Sequence, residues 1–538
     1  MSAIAIVLSV LIIFILAYHF YGRLLESLFG LNPSRPTPAI TQNDGIDFVP
    51  AKNWLVLFGH HFSSIAGAGP VVGPIMACLI WGWAPALVWV VIGSILLGGI
   101  HDYGSLMISI KEKGNSVGNI AASSISKKAK LIFSVFIWFT LILIVAVFSY
   151  LAANTFVSEP KIVVPSLALI PVALFAGLAL YRFKYPLTLV TIASLSALAG
   201  LVALGNAFPV NLGANAQASW IMALLIYCFM ASVIPVHYLL QPRDYLSSFL
   251  LFIGILLSVI GVLITHPTIK TPALVSLDSS QGFLWPMMFI TVACGAISGF
   301  HALISSGTTS KQIAREQDAK RIGLGGMLVE GFLATLVIVI FASSFSLPEF
   351  ETHRAMNTNP IALFGEGFGR VTQVFLGPWG TLIALLILNA FILTTLDSAT
   401  RIARYITQEI LVIKNRFLST LAVIICAGSL ALAQDKRGLP VWKKIWPIFG
   451  ASNQLVGALA LIVVACWLLQ KTKTGFLYAL LPALFMLATS LTALLIKIPS
   501  QWRNQEFLLV IISTILIITT LSLISEVLTT FNNRRRDG

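Results

Sequence analysis

Apolar residues along this chain do not alternate with polar ones as they would on a half-exposed helix or strand. They run together for stretches of about 20 residues separated by short polar loops. About fifteen such stretches recur, each long enough to cross about 30 Å of hydrocarbon as a helix. They lie near 2–19, 54–80, 84–108, 131–152, 163–181, 186–205, 219–240, 246–265, 285–307, 323–346, 375–400, 417–433, 450–470, 475–496 and 506–528. No loop between them has room for a soluble domain. The pattern predicts an all-α, polytopic membrane helix bundle. Composition agrees: of 538 residues 57% are apolar and 10% charged, and the mean hydropathy is +0.92, outside the range of soluble globular chains.

A net charge of +14 would suit a binder of polyanions, but the basic residues are spread over many short loops, so no nucleic-acid surface is expected. Their placement carries orientation instead. When alternate loops are assigned to one side, that side collects most of the 34 Lys and Arg. Among them are Lys111, Lys113, Lys127, Lys128 and Lys130, then Lys311, Arg315, Lys320 and Arg321, and finally Arg534, Arg535 and Arg536. The positive-inside rule makes that side cytoplasmic, with the N-terminus outside and the C-terminus inside. Lys436, Arg437, Lys443 and Lys444 fall on the other side, which leaves the path of 417–450 open. Ser2 to His19 lacks a basic n-region and a small-residue cleavage site, and reads as a retained helix. Cys78, Cys228, Cys294, Cys426 and Cys466 show no paired spacing and are expected to be packing residues, not disulfides or metal ligands.

Several stretches are not plain helices. In 54–80, Gly67, Gly69, Pro70, Gly73 and Pro74 would unwind a helix at membrane depth, which is tolerated only where protein or a water-filled cavity receives the freed backbone groups. Two half-helices would result, and their exposed ends suit an anionic group and a cation. The alternative is a small-residue face for close helix packing. His60 and His61 precede the break with Ser63 and Ser64, and histidine is a plausible proton carrier. In 285–307, Ser298, His301 and Ser305 share one helical face, followed by Ser306, while Gly295 and Gly299 permit close approach; interhelical hydrogen bonding is the alternative there. Acids within apolar runs are functional candidates. Asp102 lies beside His101, Glu330 has no partner close in sequence, and Asp397 precedes Arg401 by four residues, as in a helical ion pair. The stretch VIPVHYLLQPRDYL adds Pro235, His237, Gln241, Arg243 and Asp244 at a helix end.

The segments GHHFSSIAGAGPVVGP, QPRDYL, SGFHALISSGTTSKQ, LTTLDSATRIARY and WPIFGASNQL, in order from residue 59 to about 455, resemble the signature segments of the carbon starvation protein A family of bacterial inner-membrane transporters. The resemblance implies uptake of peptides or pyruvate during nutrient limitation, driven by an ion gradient, usually of protons. It also implies similarity to the amino acid–polyamine–organocation superfamily, whose core is two inverted five-helix repeats with broken helices. On that footing 54–80 is core helix one, 219–240 helix six and 285–307 helix eight. The expected organisation is a first helix and linker (1–53), a transporter core (54–400) and peripheral C-terminal helices (401–538).

Together these readings predict a secondary symporter of a small organic solute. The expected substrate-binding residues are His60, His61, Ser63, Ser64, Gly67, Gly69, Pro70, Gly73, His237, Ser298 and His301. Asp102, Glu330 and Asp397 are expected to handle a coupling proton, and Ser305 and Ser306 a sodium ion, as the alternative coupling. The partners are the solute, the ion and membrane lipid. A channel, or an intramembrane hydrolase using Ser298 with His301, are the other classes. No HExxH and no GxxxxGK[ST] is present, so no metal, ATP drive, cofactor or enzyme activity is expected.

Overall fold

In a bilayer a chain can satisfy its backbone only as helices or a closed barrel, and the computed structural model is almost wholly helical. It describes all residues except 46–47, 236–237, 280, 435–441 and 538. In chain order the main helices are α1 (Ala3–Leu28), α2 (Trp54–Ile65), α3 (Gly69–Ile80), α4 (Trp83–Lys111), α5 (Lys127–Ser158), α6 (Pro160–Leu180), α7 (Leu187–Ala207), α8 (Ala216–Val233) and α9 (Leu240–Thr265). They continue as α10 (Leu284–Thr291), α11 (Gly299–Gly307), α12 (Glu316–Ser344), α13 (Pro360–Leu376), α14 (Trp379–Leu411), α15 (Arg416–Ala431), α16 (Trp442–Leu469), α17 (Leu477–Arg503) and α18 (Phe507–Asp537). Among the described residues 12 helices are long and apolar enough to cross a membrane, and α2 with α3 makes one further span bent by 42°. The two remaining expected stretches take other forms. Residues 284–307 are split into α10 and α11, and α15 has 16 residues, about 24 Å of helix. Contacts of Ser232 with Thr420 and of Leu225 with Gly428 set α15 antiparallel to α8.

The first break lies at 66–68, at the start of the expected Gly67–Pro74 stretch; Gly69, Pro70, Gly73 and Pro74 do not unwind the chain but lie within α3, where Pro70 occupies the first turn and needs no N–H. The second break is not where the sequence places it. Pro235 lies just past the end of α8, where it terminates the helix instead of splitting it, and α8 is continuous. The interrupted partner of α2/α3 is α10/α11, with residues 292–298 unwound between them. The helix packing repeats itself across the two halves. α5 lies along α14; α8 packs on α5 as α15 packs on α14; α9 covers α2 as α16 covers α10; and α12 covers α3 as α4 covers α11. This is an inverted-repeat core in which 284–307 occupies the position of helix six.

Loop contacts define two faces. On the basic face, the linker between α1 and α2 lies across the start of α12: Pro36 bridges Arg315, the Thr37 hydroxyl donates to the Ile313 carbonyl at 2.6 Å, and the Ala51 N–H donates to the Gln312 carbonyl at 2.8 Å. Lys111 donates to the Gly30 carbonyl and Lys130 pairs with Glu409 there. On the opposite face the Ala3 N–H donates to the Pro267 carbonyl, Ala84 N–H to Ala273, and Lys444 pairs with Glu506 at 2.8 Å. Lys436 and Arg437 lie outside the described residues.

Candidate functional site

The two breaks interlock. A Cβ on Gly69 would run into the Cys294 sulfur, and one on Gly73 would lie 2.5 Å from the Thr291 carbonyl oxygen, so only glycine lets the first turns of α3 meet the unwound 292–298. Pro70 sits in that first turn, where its missing N–H costs no hydrogen bond. Gly67 is pressed against Phe148 and Thr395. The Thr395 hydroxyl donates to the Ser64 carbonyl at 3.1 Å, satisfying a group freed at the end of α2. At the second break the Asn453 side chain from α16 accepts from the Phe300 N–H at 3.0 Å and donates to the Ser298 hydroxyl at 2.9 Å, so it caps α11 from another helix. Ser298 is thus tied to Asn453 and not to His301, and no nucleophile–base pair forms.

Next to the break lies a buried chain of titratable groups. His101 Nδ1 is 2.6 Å from Asp102 Oδ1, and His301 Nδ1, from the first turn of α11, is 2.8 Å from Asp102 Oδ2. His301 Nε2 then lies 3.2 Å from Glu330 Oε2, within ion-pair distance but not aligned as a hydrogen bond. All four side chains are fully buried. An ionised Asp102 can only accept, so both imidazoles donate their Nδ1 protons to it. A proton between His301 and Glu330 can then sit on either the imidazole or the carboxyl. The pair can therefore take up and release a single proton while Asp102 fixes the imidazole in place.

Around this chain stand groups with unused polar capacity. His61 Nδ1 is 2.8 Å from the Thr309 hydroxyl, while its Nε2, the Ser64 hydroxyl and the Ser305 hydroxyl are buried with no hydrogen-bond partner among the described residues. Ser306, by contrast, is occupied: it donates to the Ala302 carbonyl at 2.7 Å and accepts from the Val117 N–H. On the face opposite the basic one, a cavity of about 740 Å³ opens between Glu351 and Arg354 and descends past Met76 and Leu79 to Thr291, the last residue before the second break.

Three expected site residues lie elsewhere. His60 turns away from His61 and its Nδ1 meets Asp244 Oδ2 at 2.8 Å; Ser63 donates to the Gly59 carbonyl at 2.6 Å and the Asp244 carbonyl at 3.0 Å. Asp397 is not paired with Arg401. It accepts from the Tyr227 hydroxyl at 2.6 Å and makes an ion pair with Arg243, whereas Arg401 donates to the Ala231 carbonyl at the end of α8. Helical spacing offers Asp397 a neighbour, but two other helices offer better ones. His237 lies outside the described residues. Asn453, Thr395 and Tyr227 were not singled out as site residues, although the first two sit inside the quoted motifs.

Residues 2–374 and 349–493 match the family described as Carbon starvation protein CstA. Curated relatives include the peptide transporter CstA of Escherichia coli (strain K12), 31% identical and covering 91% of this chain and 80% of that one. The pyruvate/proton symporter BtsT of the same organism is 30% identical, with 94% and 83% covered. The peptide transporter CstA of Bacillus subtilis (strain 168) is 31% identical, with 91% and 89% covered. Among solved structures, an Eremococcus coleocola manganese transporter mutant aligns with a TM-score of 0.54 at 12% identity, covering 92% of this chain and 99% of that one. MhsT in complex with L-phenylalanine aligns with a TM-score of 0.51 at 12% identity, covering 88% and 99%. These two show a shared fold.

Proposed function

Since this chain belongs to the carbon starvation protein CstA family, we propose that it is a proton-coupled secondary transporter that imports a small carboxylate-bearing nutrient, a peptide or pyruvate, across the bacterial inner membrane. The observation that carries the reading is the buried Asp102–His301–Glu330 chain beside two half-helix ends, in which the His301–Glu330 pair is placed to exchange one proton. Solute enters from the cavity above Thr291 and its carboxylate is received where α3 and α11 begin, with His61, Ser64 and Ser305 completing the shell. Solute and proton then leave together after the broken helices tilt.

The repeats of this machine are 54–265, with the α6–α7 hairpin inserted, and 284–469. On that assignment α15 and α16 belong to the core, and only α1, α17 and α18 are peripheral. The basic face is cytoplasmic. Sodium coupling through Ser306 has less support, because its hydroxyl is already committed to Ala302 and Val117.

The test is uptake into proteoliposomes of labelled pyruvate and of di- and tripeptides, under an imposed pH gradient, a sodium gradient or neither. Accumulation above the external concentration is expected only with the pH gradient. Accumulation that follows sodium alone, or that needs neither gradient, would remove the proton reading.

A further inference from the structure

The motif QPRDYL opens α9 and has no part in the site just described, yet its side chains are among the most heavily engaged in the molecule. Consecutive residues reach in opposite directions. Arg243 donates through Nη1 to the Tyr227 hydroxyl of α8 at 2.6 Å and pairs with Asp397 of α14. Asp244 holds His60 of α2 at 2.8 Å through its side chain and Ser63 at 3.0 Å through its carbonyl. Gln241 Nε2 donates to Gln312 Oε1, in the turn after α11, at 2.8 Å, and Gln312 Nε2 lies 3.4 Å from His60 Nε2. The same Gln312 receives, on its carbonyl, the Ala51 N–H of the linker that crosses the basic face.

We infer that Gln241–Asp244 is a latch that closes the basic face: Arg243 fastens it to the static pair α8 and α14, while Gln241 and Asp244 hold the mobile half-helix α2 and the 309–312 turn to it. The inference rests on the alternating-access reading above. In the conformation described, the cavity opens on the opposite face, and Gln312 of this network is bonded to the linker that crosses the basic face. The elements it joins must part before solute can leave there. Arg243 Nε and Nη2, Asp244 Oδ1 and Asp397 Oδ1 are buried without hydrogen-bond partners among the described residues. Of these, Asp244 Oδ1 lies on the side that must part, and a spare acceptor there suits a contact that re-pairs when the face opens.

Amide hydrogen exchange on the full-length protein in liposomes tests this without any substrate. In Asp244→Asn and His60→Ala, exchange in 54–65 and 308–313 is expected to speed up by at least about tenfold, with 127–158 and 379–411 unchanged. If Asp244→Asn does not fold, Gln241→Ala removes one bond and should loosen the same two segments to a smaller degree. Unchanged exchange in 54–65, or an equal rise in all four segments, overturns the latch. Because no solute is needed, this result is readable whatever the uptake assay gives, and failed uptake would count against the transport reading alone.

Discussion

The proposed coupling passes one proton between His301 and Glu330, 3.2 Å apart, and so makes a sharp demand on Glu330. Glu330→Gln keeps size and hydrogen-bonding groups but cannot ionise. Proton-driven accumulation should fall by at least about tenfold, while exchange of labelled for unlabelled solute across liposomes at equal pH persists. Loss of both would mean that Glu330 serves binding or folding. Asp397→Asn should behave differently: it weakens a buried ion pair whose Arg243 partner is fully buried, so a cost on the order of 3 kcal/mol is expected, visible as a lowered melting temperature. The acids were legible in the sequence because a charge in an apolar run is costly and therefore purposeful. Their partners were not. Asp397 meets Tyr227 and Arg243, and Asp102 meets His301, across long sequence separations that helical periodicity cannot span, so only adjacent pairs such as His101–Asp102 could be read directly.

Among the elements, the glycines of α3 set how closely the two breaks approach. Gly69→Ala and Gly73→Ala would push a methyl into Cys294 and into the Thr291 carbonyl, and overpacking of that kind costs about 1–3 kcal/mol. Uptake is expected to drop at least about tenfold with the protein still inserted, whereas Gly200→Ala on α7, with nothing within 4 Å, should leave uptake unchanged. Equal uptake by all three variants would show that the breaks do not need this contact. The first break was legible because Gly and Pro at membrane depth have few other uses. The second was read only as a polar stripe with a close-packing pair. Its cap, Asn453, comes from a helix more than 150 residues away, and Pro235 drew attention to α8, where it merely ends a helix.

At the scale of the whole molecule, orientation and conformation are one question, because the cavity opens on one face and the latch closes the other. Counting Lys and Arg in alternate loops predicts which face is cytoplasmic, and the folded chain brings several of those loops together: Pro36, Thr37 and Ala51 bond to 312–315, and Lys111 bonds to the Gly30 carbonyl. That these basic loops share one face was therefore legible from charge, and labelling tests which side of the membrane that face meets. The cavity was not legible, because it is lined by segments as distant as Met76, Thr291 and Glu351. With the basic face inside, a cysteine replacing Asn43 on the linker should react with a membrane-impermeant maleimide only after cells are permeabilised. One replacing Glu351 at the cavity mouth should react in intact cells, more slowly when transported solute is present. The reverse pattern would turn the molecule over, making the open cavity face the cytoplasm and the latch an outer gate. Reaction at Glu351→Cys that solute does not slow would leave the orientation standing but remove this cavity from the solute's path.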